Sequence, residues 1–366
     1  MSEWASRWQG IRDCHVHMGS IAEEASILQL VETTGVVQMN LLSILNPAEG
    51  TGFCQSLLMK ARYPEMFYVF PGLNFADRLY PGRASVPPLA QQVDAYLAAG
   101  CDGIKMIDKP TQRRRLNVPV TDPYYADYWA RAEELGVPIL WHVNDPEEFW
   151  DSAKLPAWAR ELSWGYGPDD AQKEPLYAEV DEVLARHPGL RVIFPHFYFL
   201  SADLPRMGAF LETHPSVSID LTPGIEMLYN LSFDVPASRD FFVKYADQIL
   251  YGTDLAGRQT QEEGRYRAGI VYRWLETEDT YRIPLGTDFL LGKPEEGEIR
   301  GLALPDDVLA RIYCDNFVRY VGAQPKPLNA SEAVELCGSL AAVAESISGK
   351  PAGETEAAQV AKALAG

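Results

Sequence analysis

The sequence predicts an α/β protein, a (β/α)8 TIM-type barrel with a helical C-terminal extension. Three observations lead there. An apolar run, a turn and an amphipathic helix recur in that order along most of the chain. Strands that alternate with helices favour a parallel sheet, and eight such units can close it into a ring. The 366 residues suit a barrel with insertions. A doubly wound open sheet is the alternative, but no Gly-x-Gly-x-x-Gly loop follows the first apolar run, so a dinucleotide site has no support.

The first strand ends in Asp13-Cys14-His15-Val16-His17. Ser20-Ile21-Ala22-Glu23 fits a capping box, and Gly35 stops the helix it opens. Residues 36–44 read as the second strand, 52–63 as helix and 66–70 as the third strand. Helix 88–99 is closed by Gly100 and leads to a fourth strand over 102–107. Asp122 caps the next helix, with Pro123 at its first position and Gly136 past its end. Strands five to eight follow at 137–141, 190–194, 216–221 and 249–251, separated by helices 175–187, 201–213 and 237–247. Residues 305–321 form the last helix of the series, which bounds a barrel at 1–322 and an Ala-rich helical extension at 323–366 with a flexible break at 349–353. Two segments interrupt the rhythm. Residues 144–174 carry Trp150, Trp158 and Trp164 after strand five, and residues 255–304 follow strand eight. Long loops on a barrel's C-terminal rim suggest lids, with surface packing or an oligomer contact as the other reading.

Apolar residues make up 47 % of the chain, enough for a sizeable core. No run approaches the ~20 apolar residues of a membrane span. Residues 1–10 lack the apolar stretch of a secretion signal. Five cysteines without a Cys-x-x-Cys pair point to a reducing, cytoplasmic setting. A formal net charge of −19 repels nucleic acid and anionic membranes. The expected partner is a small-molecule substrate, and a homo-oligomer is compatible with the composition.

On a strand, side chains two apart share a face, so His15 and His17 project together. They could share a metal ion at about 2.0–2.1 Å; a solvated pair is the alternative. Downstream residues decide between these. His142 ends the fifth apolar run, His196 the sixth, and Asp254 the eighth. In a barrel all strand C-termini meet at one face, so these five groups converge. His187 and His214 each precede a proline at a helix end and receive no role.

This set resembles the amidohydrolase superfamily: Asp-x-His-x-His on strand one, histidines on strands five and six, and Gly252-Thr253-Asp254 on strand eight. Gly103-Ile104-Lys105, the stretch from Ala185 to Ile193, and Asn316-Phe317-Val318-Arg319-Tyr320 are similar to its amidohydrolase-related branch, which includes hydrolases, lactonases and aminocarboxymuconate-semialdehyde-type decarboxylases. The resemblance implies that His15, His17, His142 and Asp254 hold one divalent metal, zinc first, with manganese, iron or cobalt as alternatives. It implies that Asp254 or His196 moves the proton of an activated water. Lys105 is expected to stay an ammonium that binds a substrate carboxylate, in place of the carbamylated bridge of two-metal members. Arg113-Arg114-Arg115 reads as a solvated charge run, Arg258 as a weaker anion-binding candidate, and Tyr198 and Phe199 as pocket or packing residues. The leading expectation is a metal-dependent hydrolase of an amide, ester or lactone. A non-oxidative decarboxylase with the same ligands is the alternative, and a catalytically silent binding barrel is disfavoured because every expected ligand is present.

Overall fold

The computed structural model describes residues 4–224, 226–284 and 297–366. Eight parallel strands run in sequence: β1 Arg12–His17, β2 Gln38–Leu42, β3 Phe67–Phe70, β4 Ile104–Asp108, β5 Pro138–Val143, β6 Arg191–Phe194, β7 Val217–Asp220 and β8 Ile249–Leu250. They form two sheets, β3-β2-β1 and β4-β5-β6-β7-β8, and a short β9 (Leu255–Ala256) pairs with the free edge of β1. Backbone bonds join the sheets at both seams. Lys105 N donates to Pro71 O (2.9 Å) between β3 and β4, and Cys14 N donates to Tyr251 O (3.0 Å) between β8 and β1. The parallel order is thus carried round from β8 back to β1, as in a barrel.

The strands read as near-continuous apolar runs because both of their faces are covered. One cluster takes side chains from six strands, among them Cys14, Leu42, Phe70, Leu140, Ile193 and Leu250, together with Phe317 and Tyr320. This is the barrel interior. The last helix seals its N-terminal end: Asn316 Nδ2 donates to Ala246 O and Ile249 O, both at 2.7 Å. The larger cluster lies between the strands and the outer helices, which begin with Glu24–Thr34 and Phe53–Arg62.

Several boundaries follow from local chemistry. Ser20 caps its helix by accepting from Ala22 N (3.2 Å), but the Glu23 carboxylate reaches back to Gly19 N (2.8 Å), one residue earlier than a capping box requires. Gly136 ends helix Ala126–Leu135 at φ 58°, a conformation that favours glycine. β1 carries a register shift between Asp13 and Val16. Across it Cys14 packs inside the barrel and Val16 in the outer layer, although they are two residues apart.

The chain beyond 322 is neither frayed nor loosely attached. Helices Ala330–Ser348 and Glu356–Leu364 pack on Phe53–Arg62, and Cys337, Leu340, Ala341 and Val360 join the main core. The Glu356 carboxylate accepts from Gln55 Nε2 at 2.6 Å and from Ser20 Oγ at 2.5 Å. Residues 255–304 are only in part a loop. Helix Gln261–Glu276 lies against Glu24–Thr34, where Tyr272 OH donates to Thr34 O (3.0 Å), and residues 285–296 fall outside the described residues. No described helix is long and apolar enough to cross a membrane.

Candidate metal centre

The C-terminal ends of β1 and β8 bring His15, His17 and Asp254 together, with one ligand-type atom from each inside a space of 4.8 Å. The two Nε2 atoms lie 3.2 Å apart. Asp254 Oδ1 lies 3.3 Å from His15 Nε2 and 3.1 Å from His17 Nε2. His15 Nδ1 faces Asp220 Oδ2 at 2.9 Å. A carboxylate can only accept, so the ring proton sits on Nδ1 and the lone pair of Nε2 points at the cluster. Lone pairs converging on one point suit a cation, and the pairing of a ligating imidazole with an outer carboxylate is a common support for one.

Burial holds His15, His142 and His196 neutral. It pushes the pKa of His15 down to about 4, with Lys105 adding to the effect. His142 and His196 are likewise lowered to about 4, chiefly by burial. Burial pushes the Asp254 carboxyl up, but its bond to His17 and the nearby His15 outweigh this and hold it well below the usual range. Asp13 goes the other way, raised to about 7 by burial. It accepts from His15 N (3.0 Å) and Thr253 Oγ1 (2.6 Å), and so ties β1 to the loop that carries Asp254. His15 itself is 1 % exposed, so the centre is set into the packed interior, deeper than a rim position implies.

His142 is not part of the cluster. Its Nε2 is turned onto Asn144 O at 3.0 Å, with Asp145 Oδ1 at 3.5 Å, so the expected fourth donor is engaged by the loop after β5. Its ring packs beside His196, with centroids 5.1 Å apart. His196 also lies next to the cluster, 5.6 Å from the His15 ring. Its backbone N donates to Asp220 Oδ1 (2.9 Å), and its Nδ1 faces Thr222 O (3.3 Å), while Nε2 has no hydrogen-bond partner among the described residues. His196 to Phe199 form four consecutive left-handed residues, φ 53° to 57°. Each costs roughly 1–2 kcal/mol in a non-glycine residue. The turn splits two neighbouring aromatics. Phe199 stacks on His196 at 5.1 Å and lines the cavity, while Tyr198 packs outward between Phe194 and Phe210. Asp254 (φ 55°) and Asn144 (φ 68°) share this conformation, so strained backbone occurs at the ends of β5, β6 and β8, while Asn117, Ser163 and Ala303 adopt it elsewhere.

Above the centre lies a cavity of about 520 Å³. Lys105, 2 % exposed, lines it, and its side-chain amine makes no ion pair or hydrogen bond among the described residues. Burial lowers its pKa to about 8. Phe149 and Trp164 from the segment after β5 form part of the wall, within a small cluster that also holds Trp150 and Tyr166. Tyr166 OH donates to Asp145, and Lys109 Nζ stands 4.0 Å over the Trp164 ring. These contacts fasten the segment to the rim, where it forms one wall of the cavity. The arginine run is not a uniform solvated face. Arg113 is bound by Asp108 (2.9 Å) and Glu179, and Arg114 by Asp170 (2.7 Å) and Gly165 O (2.8 Å) in the segment after β5. Arg115 and Arg258 both line the cavity. His187 pairs with Glu133 at 2.9 Å on the outer surface, and His214 lines a separate crevice between helices Lys173–Arg186 and Leu204–Thr213.

Asp220 is the residue that sequence reasoning missed. It closes an apolar strand, Val217–Asp220, with an acid, the same signal that singled out Asp254.

Comparison with known proteins agrees with this architecture. Among solved structures, 5-carboxyvanillate decarboxylase from Sphingomonas paucimobilis is 13 % identical with a TM-score of 0.51, covering 86 % of this chain and 99 % of that one. The 4-oxalomesaconate hydratase from Rhodopseudomonas palustris is 14 % identical, TM-score 0.51, covering 90 % and 99 %. A dihydroxybenzoic acid decarboxylase from Polaromonas sp. JS666, solved with manganese and the inhibitor 2-nitroresorcinol, is 14 % identical, TM-score 0.50, covering 86 % and 97 %. At these identities the likeness concerns the fold. No curated protein matches the chain. The amidohydrolase family model matches residues 71–321, a range that contains Lys105, His142, His196 and Asp254 and begins after His15 and His17. The chain belongs to the amidohydrolase family.

Proposed function

We propose that the protein is a metal-dependent hydrolase acting on an amide, ester or lactone carbonyl of a small carboxylate-bearing molecule. The observation that carries this reading is the convergence of His15, His17 and Asp254 beneath a cavity that also presents an unpaired buried amine. These three residues would hold the ion, and His142 is the candidate fourth donor. Two or three imidazoles and a carboxylate suit zinc, with manganese, iron or cobalt as alternatives. When bound, a divalent ion supplies a Lewis acid and lowers the pKa of water toward about 7. His196, neutral and with Nε2 unpartnered among the described residues, accepts the proton of the attacking water and returns it to the leaving group, and Asp254 is the second candidate for that transfer. Lys105 remains an ammonium and binds the substrate carboxylate. Decarboxylation is the second reading, favoured by the apolar walls of Phe149, Trp164 and Phe199 around the lysine.

The zinc-loaded protein, offered a panel of lactones, amides and aromatic acids, is expected to incorporate solvent oxygen into product. Release of carbon dioxide instead would select the lyase. Binding of a carboxylate should weaken as pH rises through about 8. The Lys105 pKa lies below its ordinary 10.5, so the cation is present below about 8 and lost above it. Lys105→Met should abolish that dependence; an unchanged pH profile would remove the lysine from the site.

A second expectation concerns Asp220. Asp220→Asn should weaken metal retention by roughly 10–100-fold, because the amide no longer fixes the His15 tautomer. Competition against a chelator reads this directly, and wild-type retention would show that Asp220 does not set the ring.

A further inference from the structure

Resting on that reading, we propose that the substrate carries two anionic groups joined by an apolar body. One is held at the floor by Lys105, and the other at the mouth between Arg115 and Arg258. The three consecutive arginines separate the possibilities. Arg113 and Arg114 are consumed by Asp108, Glu179 and Asp170. Arg115, one residue on, is exposed, lines the cavity and has no ion pair, hydrogen bond or ring contact among the described residues. Arg258 has the same three properties. Arg115 follows β4 and Arg258 follows β8 and β9, so the two guard opposite sides of the ring.

Most of the cavity's other charges are already committed. Lys109 is bound to Asp145 (3.2 Å) and to the Trp164 face. Asp145 also accepts from Tyr166, Asp254 belongs to the metal cluster, and Glu23 is bonded to Gly19 N. The bond from a neutral amide leaves Glu23 charged, so the open charges are Lys105 at the floor and Arg115 and Arg258 against Glu23 at the mouth, net positive in a chain whose net charge is −19. Between them the wall is apolar: Leu42, Ile44, Ile107, Phe149 and Phe199. A volume of about 520 Å³ accommodates a ligand of this kind.

The test is calorimetric titration of the zinc-loaded protein with isophthalate and with benzoate at one fixed physiological salt concentration. Isophthalate is expected to bind on the order of ten-fold more tightly, the scale of one added charge-assisted contact. Arg115→Gln and Arg258→Gln should each remove most of that advantage. Arg186→Gln, on an outer helix, should keep it. Equal affinities, or an advantage that survives both variants, would overturn the proposal. Lys105-dependent benzoate binding with no gain from the second carboxylate would leave the metalloenzyme reading standing and overturn this one alone. A loaded protein that binds neither acid would overturn both.

Discussion

An Asp254→Ala variant is expected to leave purification nearly free of metal, against the single ion expected in the native chain. Asp254 supplies the only carboxylate of the cluster, within 3.3 Å of both imidazole nitrogens. Without it the cluster keeps two histidines, fewer than the three protein ligands that catalytic zinc sites ordinarily use, and His142 is turned onto Asn144 O. Turnover should fall by more than the roughly 10–100-fold that loss of an outer partner costs. The fold should survive. Losing the carboxylate removes an attraction that supports the Lys105 ammonium, but burial already lowers that pKa to about 8, so the amine can release its proton and avoid a stranded charge. The backbone of this segment is held independently, by Asp254 N on His15 O (2.9 Å) and by Thr253 on Asp13. Elemental analysis and circular dichroism on the same sample test both halves. A folded Asp254→Ala protein that keeps stoichiometric zinc would remove Asp254 from the ligand set.

Residues that act within one period of local structure were readable from the sequence. Period-two spacing put His15 and His17 on one face, and acids or histidines closing apolar runs marked His142, His196 and Asp254 for one end of the ring. Which atom each presents was not readable. The His142 ring is decided by Asn144 O, and the His15 tautomer by Asp220, a residue 205 positions away. The left-handed turn at His196–Phe199 contains no glycine, so nothing in its composition announces it. The three arginines looked alike because their difference lies in distant partners: Glu179 for one, Asp170 for the next. The tail looked peripheral because alanines carry little apolar signal. Small residues nevertheless let Ala330–Ser348 sit close on Phe53–Arg62, and Ala333, Ala341 and Ala344 are all buried.

The largest expected loss of stability comes from the opposite end of the barrel, at Lys60. Lys60 is 0 % exposed and Asp102 is 1 % exposed, and they pair at 2.6 Å. Lys60 Nζ also donates to Gly100 O (2.6 Å), while Asp102 accepts from Val69 N (2.8 Å) and Lys326 N (2.8 Å). One ion pair thus joins helix Phe53–Arg62, β3, the entry to β4 and the start of the C-terminal extension. Burial already pushes the Asp102 carboxyl up, against the pull of Lys60. Lys60→Met keeps the volume and strands that carboxylate, which should cost about 3–5 kcal/mol. With the lysine gone, the folded-state pKa of Asp102 rises further above its unfolded value. The variant then gains relative stability in acid and loses it as pH rises through the carboxylate range. Adding Asp102→Asn removes the stranded charge and should recover much of the loss, because an apolar or neutral replacement of a buried pair is far cheaper than breaking it. Urea denaturation of the single and double variants across pH 4 to 7 measures this, with metal content as a control that should not change. A Lys60→Met protein within about 1 kcal/mol of wild type at pH 7 would show that the pair does not anchor the extension.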